Sequence, residues 1–258
     1  VFTAIPFVDF SFPGVKGFAI DFISGVFLIS ALFLFYKALQ NGEASIVIPF
    51  IGGGMPVVVF IFSVLILGAT YTLTQTVAVL FLLLGGLLMT LIPKERSHWW
   101  QRKKKGKGIG VALFSTLLFA LFFVMSDYAY TTQGFANGFI WARLGSFMAV
   151  VWLLFDKSFQ KSLKSFFHKF FHGKKYVFFV NQTFGAVAFL GQGYAISLKG
   201  AAIINALQGV QYVFLLILAS FISLLYPSMI KERVSKIIII EKAAAILAIC
   251  IGVFLITK

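Results

Sequence analysis

Within an otherwise apolar stretch, Asn205, Gln208, Gln211 and Tyr212 recur at steps of three and four residues. On a helix this spacing puts them on one face. An amide or phenol in hydrocarbon costs free energy unless it meets a cavity or a partner. The face is therefore the lining of a polar hollow, or a seam of hydrogen bonds between helices. The preceding apolar run offers the same choice, with Gln192 and Tyr194 able to reach a hollow. Asn181, Gly185, Ala188 and Gln192 there form a small and polar stripe suited to close packing. Arg143 is the basic residue set deepest in an apolar run, and placing it there costs about 2.5–3.5 kcal/mol. It needs a partner. Asp127, across the turn at Gly134, is offset from it by about 7–8 Å along a helix axis. That pair is structural, or it holds an anionic group or a proton. Pro49, Gly52, Gly53 and Pro56 weaken the backbone ladder of another run, which reads as a hinge or cavity wall, or as a static kink.

Catalytic and metal chemistry find little support. His168 and His172 are four apart, a spacing that fits a metal on a helix, but the Phe and Lys residues around them read as a basic amphipathic segment on a membrane surface. Gly106-Lys107-Gly108 lacks the rest of a phosphate loop. Cys250 is the one cysteine, so no disulfide or cysteine cluster forms within a chain. No catalytic residue, cofactor or metal is assigned. Asp21, Glu43, Glu241 and Lys242 lie near the ends of apolar runs, where reaching to the interface accounts for them.

The elements that position these residues follow from composition. Of 258 residues 60% are hydrophobic and 12% charged, with a mean hydropathy of +0.98. These values belong to membrane proteins, since each crossing needs about 20 apolar residues. Eight helices are expected: Gly17 to Gln40, Ala44 to Leu67, Thr72 to Ile92, Ile109 to Tyr130, Phe135 to Phe155, Tyr176 to Leu198, Ala201 to Leu225 and Ile237 to Thr257. Asn41-Gly42, Gly68, Pro93, Gly134, Gly173, Gly200 and Tyr226-Pro227 break them. The net charge of +14 would point to nucleic acid in a soluble protein, but the basic residues crowd into short loops, the positive-inside pattern. Nucleic acid is not expected as a partner.

Tyr36 to Ile46 and Tyr194 to Ile204 align without a gap, and two long apolar runs follow each, ending at Gly85-Gly86 and Ile251-Gly252. The chain is thus read as a duplication. Residues 1–92 are the first copy with three helices, 93–108 a basic loop, and 109–258 the second copy with five. Two N-terminal helices of the first copy are inferred to be missing, and no signal peptide is read. Five helices per copy would invert the second copy in the membrane. Sixteen of the 22 basic residues then fall on one side, which the charge rule makes cytoplasmic, with the C-terminus external.

Tyr36 to Pro49, Gly52-Gly-Gly-Met-Pro56, Gly85-Gly86-Leu-Leu-Met, Asn205 to Phe214 and Ile246 to Ile256 resemble the drug/metabolite transporter superfamily, and within it the EamA-like transporters. Leu207 stands where the first copy has Pro49, and Ala69 or Thr70 where such repeats often carry an acid. The resemblance implies an all-α integral membrane carrier of ten helices in two inverted sets of five, of which eight are present here. It implies alternating access to a small organic solute, such as an amino acid or metabolite, with export as the direction. Amides and aromatics without an intramembrane acid suit neutral or zwitterionic solutes. The same superfamily leaves open a translocase of lipid-linked or nucleotide sugars. Other implied partners are membrane lipid and a second copy as a homodimer, in a prokaryotic cell membrane.

Overall fold

The computed structural model describes residues 11–42, 44–91, 106–155, 159–160, 163, 175–211, 213–214, 218 and 236–256. They are helical, with no strand among them: α1 (Gly14–Asn41), α2 (Ala44–Leu67), α3 (Leu73–Leu91), α4 (Gly106–Gln133), α5 (Phe135–Leu153), α6 (Lys175–Lys199), α7 (Ala201–Ala206) and α8 (Lys236–Ile256). Four of them are long and apolar enough to cross a membrane: α1, α2 from Phe50, α4 from Gly108, and α5. Two shorter apolar helical stretches, Leu73–Gly86 and Ala243–Leu255, accompany them. A chain with four such helices is an integral membrane protein by length and composition.

Local chemistry sets the helix ends. Thr72 and Gln75 form a reciprocal cap at the start of α3, the Gln75 amide N–H donating to Thr72 Oγ1 and the Thr72 N–H donating to Gln75 Oε1. Gly134, between α4 and α5, has φ 80°, and Gly200, between α6 and α7, has φ 82°. Both are left-handed conformations that a Cβ disfavours, so the two turns stay tight.

One expected element differs. In place of one helix over Ala201 to Leu225, α7 stops at Ala206, Leu207 forms a turn, and helical backbone resumes at 208–211. The Val210 N–H donates to Leu207 O, three residues back, which tightens the turn. The next residue but one, Gly209, is pressed onto α3, where a Cβ would stand 3.2 Å from Leu82 O. Of the remainder of the expected helix, residues 213, 214 and 218 are helical and the others lie outside the described residues.

Contacts gather the chain into two compact units, the first from residues 1–30 and 121–200, the second from 31–120 and 201–258. In the first, α1 and α5 run parallel: Phe18 stacks edge-on against Trp141 at 5.3 Å, and Phe22 lies against Gly145 further along both helices. A Cβ on Gly145 would come 2.5 Å from Phe22 O, and one on Gly25 would overlap the Ala142 carbonyl. Backbone meets backbone here, the approach that small residues permit in membranes.

The second unit is built on Val79, Leu82, Leu83, Ile203, Ala206 and Ile249. Gly85 lies against Ala245 and Ile249, while Gly252 lies against Ala78 and Leu82. As the chain advances along α3 the facing residues retreat along α8, so these helices are antiparallel. In the same unit Ser115 Oγ donates to Ala31 O at 2.8 Å, and Gly108 abuts Gly42, which makes the unit's segments of α1 and α4 antiparallel too.

Candidate functional site

In the first unit the helix pair α4 and α5, joined at Gly134, meets α6. The Arg143 guanidinium lies between two rings, 4.8 Å from the Phe139 centroid and 4.2 Å from that of Phe189. Phe139 is one turn earlier on α5, so helical spacing supplies one face, while the other comes from α6. The Arg143 Nε is buried without a hydrogen-bond partner. One turn past Phe189, Gln192 leaves its Nε2 buried and equally without a partner. Gln192, Phe189, Phe122, Tyr130 and Ile196 line a partly open cleft too narrow to hold a water molecule. Gly193 is what lets α6 approach, because a Cβ there would stand 3.1 Å from the Phe135 ring and 3.4 Å from the Tyr130 hydroxyl. Two buried donors facing no acceptor cost about 1–3 kcal/mol each. An acceptor, anionic or a carbonyl, would satisfy either.

The structure thus brings two residues singled out in the sequence, Arg143 and Gln192, to the same ring, Phe189. Tyr194 turns elsewhere: its exposed ring packs edge-on against Phe135 at 5.6 Å. The expected Asp127–Arg143 pair gives way to the two-ring seat of Arg143, and Asp127 Oδ2 lies instead beside Gly200, 3.3 Å from where a Cβ would be. The small and polar stripe also differs from expectation. Asn181, Gly185 and Ala188 are exposed, and nothing lies within 4 Å of a Cβ on Gly185.

A second polar group in this unit was not anticipated. Asp21, read as an interface residue, is 0% exposed and lies two turns inside α1, which begins at Gly14. Gln133 Nε2 donates to its Oδ2 at 2.8 Å. Asp21 Oδ1 and Gln133 Oε1 are both buried without a partner. The signal available in the sequence was a carboxylate inside an apolar run; its amide partner, 112 residues away, was not visible there.

The second unit holds the amide face. Asn205 is 0% exposed, and its Nδ2 donates to Ala201 O at 2.8 Å. Gln208 Nε2 in turn donates to Asn205 Oδ1 at 3.1 Å. These two amides are joined to each other and to their own helix, while Gln211 is exposed. Tyr212 lies outside the described residues, as do Phe166 to His172 and the side chain of Pro49. The α2 helix continues through Pro49 and Pro56, with Gly53 and Pro56 buried and Gly52 half-buried. Just past Pro56, Val57 and Phe60 pack against the cluster that includes Ile203 and Ala206 of α7.

Among the described residues no three His, Cys, Asp or Glu side chains gather as a metal would need. The arrangement can bind, by hydrogen bond and cation–π contact. No family model matches the chain, and no curated protein does.

Proposed function

We propose that this chain is a secondary carrier of small organic solutes, of the drug/metabolite type, working by alternating access between inverted helical repeats. The observation that carries the reading is the dry cleft of the first unit. Gln192 lines it with an amide N–H that has no acceptor, and the equally unpartnered Arg143 Nε is held over Phe189, one of its walls, inside a chain of membrane-spanning helices. Such donors are retained in hydrocarbon where something visits them. The cleft has no room for a solute as it stands, so a solute would enter only when the helices separate, which is the motion alternating access requires. The antiparallel packing of α3 and α8 at Gly85 and Gly252 supports the inverted repeat, because the duplication makes these two helices equivalent and inversion turns one over. Asn205, Gln208, Gln211 and Tyr212 would line the path in the second repeat, with Pro49, Gly52, Gly53 and Pro56 as its other wall. Neutral or zwitterionic solutes such as amino acids suit this mixture of amides, one cation and aromatic faces.

The test is counterflow of labelled neutral amino acids into liposomes holding the full-length protein. Arg143→Gln is expected to lose most exchange and Arg143→Lys to restore little, since an ammonium cannot offer the planar fork. Equal exchange by all three proteins ends the reading. A translocase of lipid-linked or nucleotide sugars is the second reading, favoured by the match of a guanidinium edge to phosphate. Exchange of a lipid-linked sugar phosphate, with none of the amino acids, would select it.

A further inference from the structure

The Asp21–Gln133 pair lacks one hydrogen atom. Gln133 Nε2 donates to Asp21 Oδ2 at 2.8 Å, which leaves Asp21 Oδ1 and Gln133 Oε1, two acceptors, buried and without a donor. A carboxyl and a primary amide joined at one N–H···O contact close into a two-bond ring when the second carboxyl oxygen carries hydrogen and donates to the amide oxygen. One proton would satisfy both orphaned atoms. The nearby hydroxyls are committed elsewhere: Ser24 Oγ donates to Asp21 O, and Thr131 and Thr132 donate to carbonyls of their own helix.

We propose that Asp21 and Gln133 form a proton-binding site among the membrane-spanning helices of the first unit, and that its proton is the coupling ion of transport. The site itself stands on this geometry; the coupling role rests on the carrier reading. A proton from water forms the Oδ1–H bond, is shared with Gln133 Oε1, and returns to water when α1 and α4 separate. Only that O–H bond is made and broken, and no electrons are gained or lost. A metal cation is the poorer occupant, because two free oxygens fall well short of the six or more that a hard cation collects.

Other charged and titratable groups belong to the packed elements. Lys16 is on α1 and exposed, Asp127 and Tyr130 are on α4 and buried, and Tyr128 on α4 is half-buried. Arg143 is on α5, and α6, which packs on α5, adds Tyr194 and Lys199, both exposed. Tyr130 also lines the cleft.

The experiment is infrared difference spectroscopy of the full-length protein in liposomes, between acidic and alkaline buffers. A protonated-carboxyl band is expected that vanishes in Asp21→Asn, moves to higher frequency in Gln133→Leu as its hydrogen bond is lost, and stays in Asp127→Asn. A band that survives Asp21→Asn, that Gln133→Leu leaves in place, or that follows sodium rather than pH overturns the site. Asp21→Asn replaces one oxygen by a group of equal size, and Gln133→Leu leaves the carboxyl, so the two variants check each other. In the same liposomes, uptake of labelled L-leucine driven by a pH gradient should fall at least tenfold in Asp21→Asn, with exchange at equal pH retained. Unchanged gradient-driven uptake overturns the coupling role. Absence of leucine movement in the wild type, with the band as expected, removes the carrier reading and leaves the proton site standing.

Discussion

Adding one methyl group at Gly145 should push α1 and α5 apart. The new Cβ would stand 2.5 Å from Phe22 O, 2.7 Å from Phe22 Cα and 3.0 Å from Phe22 C. Carbon atoms pack at about 3.5–4.0 Å, so the two helices must separate by about 1 Å. Neither side can yield by a rotamer change, because the atoms met are backbone. Forced overpacking of this kind costs about 1–3 kcal/mol. Separation also stretches the Ser146 Oγ–H bond to Gly25 O, already 3.2 Å, worth about 1 kcal/mol. Against this, alanine is the better helix former by about 1 kcal/mol. The net expectation is a loss of about 1–3 kcal/mol, a shift of roughly tenfold to a hundredfold in the unfolding equilibrium. Gly185→Ala is the control, since nothing lies within 4 Å of its Cβ and only the gain in helix propensity remains. Titration of both variants with denaturing detergent in mixed micelles, followed by helical circular dichroism, measures the difference. Equal midpoints for Gly145→Ala, Gly185→Ala and the wild type would refute the close α1–α5 packing, and with it the seat of Asp21 beside Phe22.

Further expectations follow from the same contacts. Asn205→Leu removes a fully buried amide and strands Gln208 Nε2, so the detergent titration should show a loss of about 1–3 kcal/mol. Gly193→Leu would drive a branched side chain into the Phe135 ring and Tyr130 hydroxyl; α6 should detach from α5, read as faster tryptic cleavage near Lys199. Gln211→Leu, at an exposed position, should leave stability within about 0.5 kcal/mol of wild type while slowing solute efflux from loaded vesicles. Unchanged efflux would take that face out of the transport path.

The amide face and the cationic site were legible to different degrees. Asn205 and Gln208 were expected on one helical face, and they are bonded to each other, because residues three apart on a helix meet whatever surrounds them. The position of Arg143 in an apolar run marks it as costly and points to an acid as its partner. Two phenyl rings hold it instead, one from a helix whose approach depends on Gly193. Counted from Gly17, Asp21 reads as an interface residue. Its burial depends on α4 and α5 covering it, which no count along α1 could register.

By itself the sequence determined where most of the described helices form and stop, the break at Leu207 apart. Apolar runs of spanning length, Gly134 and Gly200 at the turns, and Thr72 with Gln75 at a cap act through contacts a few residues apart, so their spacing is enough. Tertiary structure alone decided which polar atoms are paired. It set the antiparallel fit of Gly85 and Gly252, the break at Leu207, the ring-held Arg143 and the amide above Asp21. In lipid a buried polar group is stable or stranded according to the neighbour that reaches it, and that neighbour comes from a distant stretch of the chain.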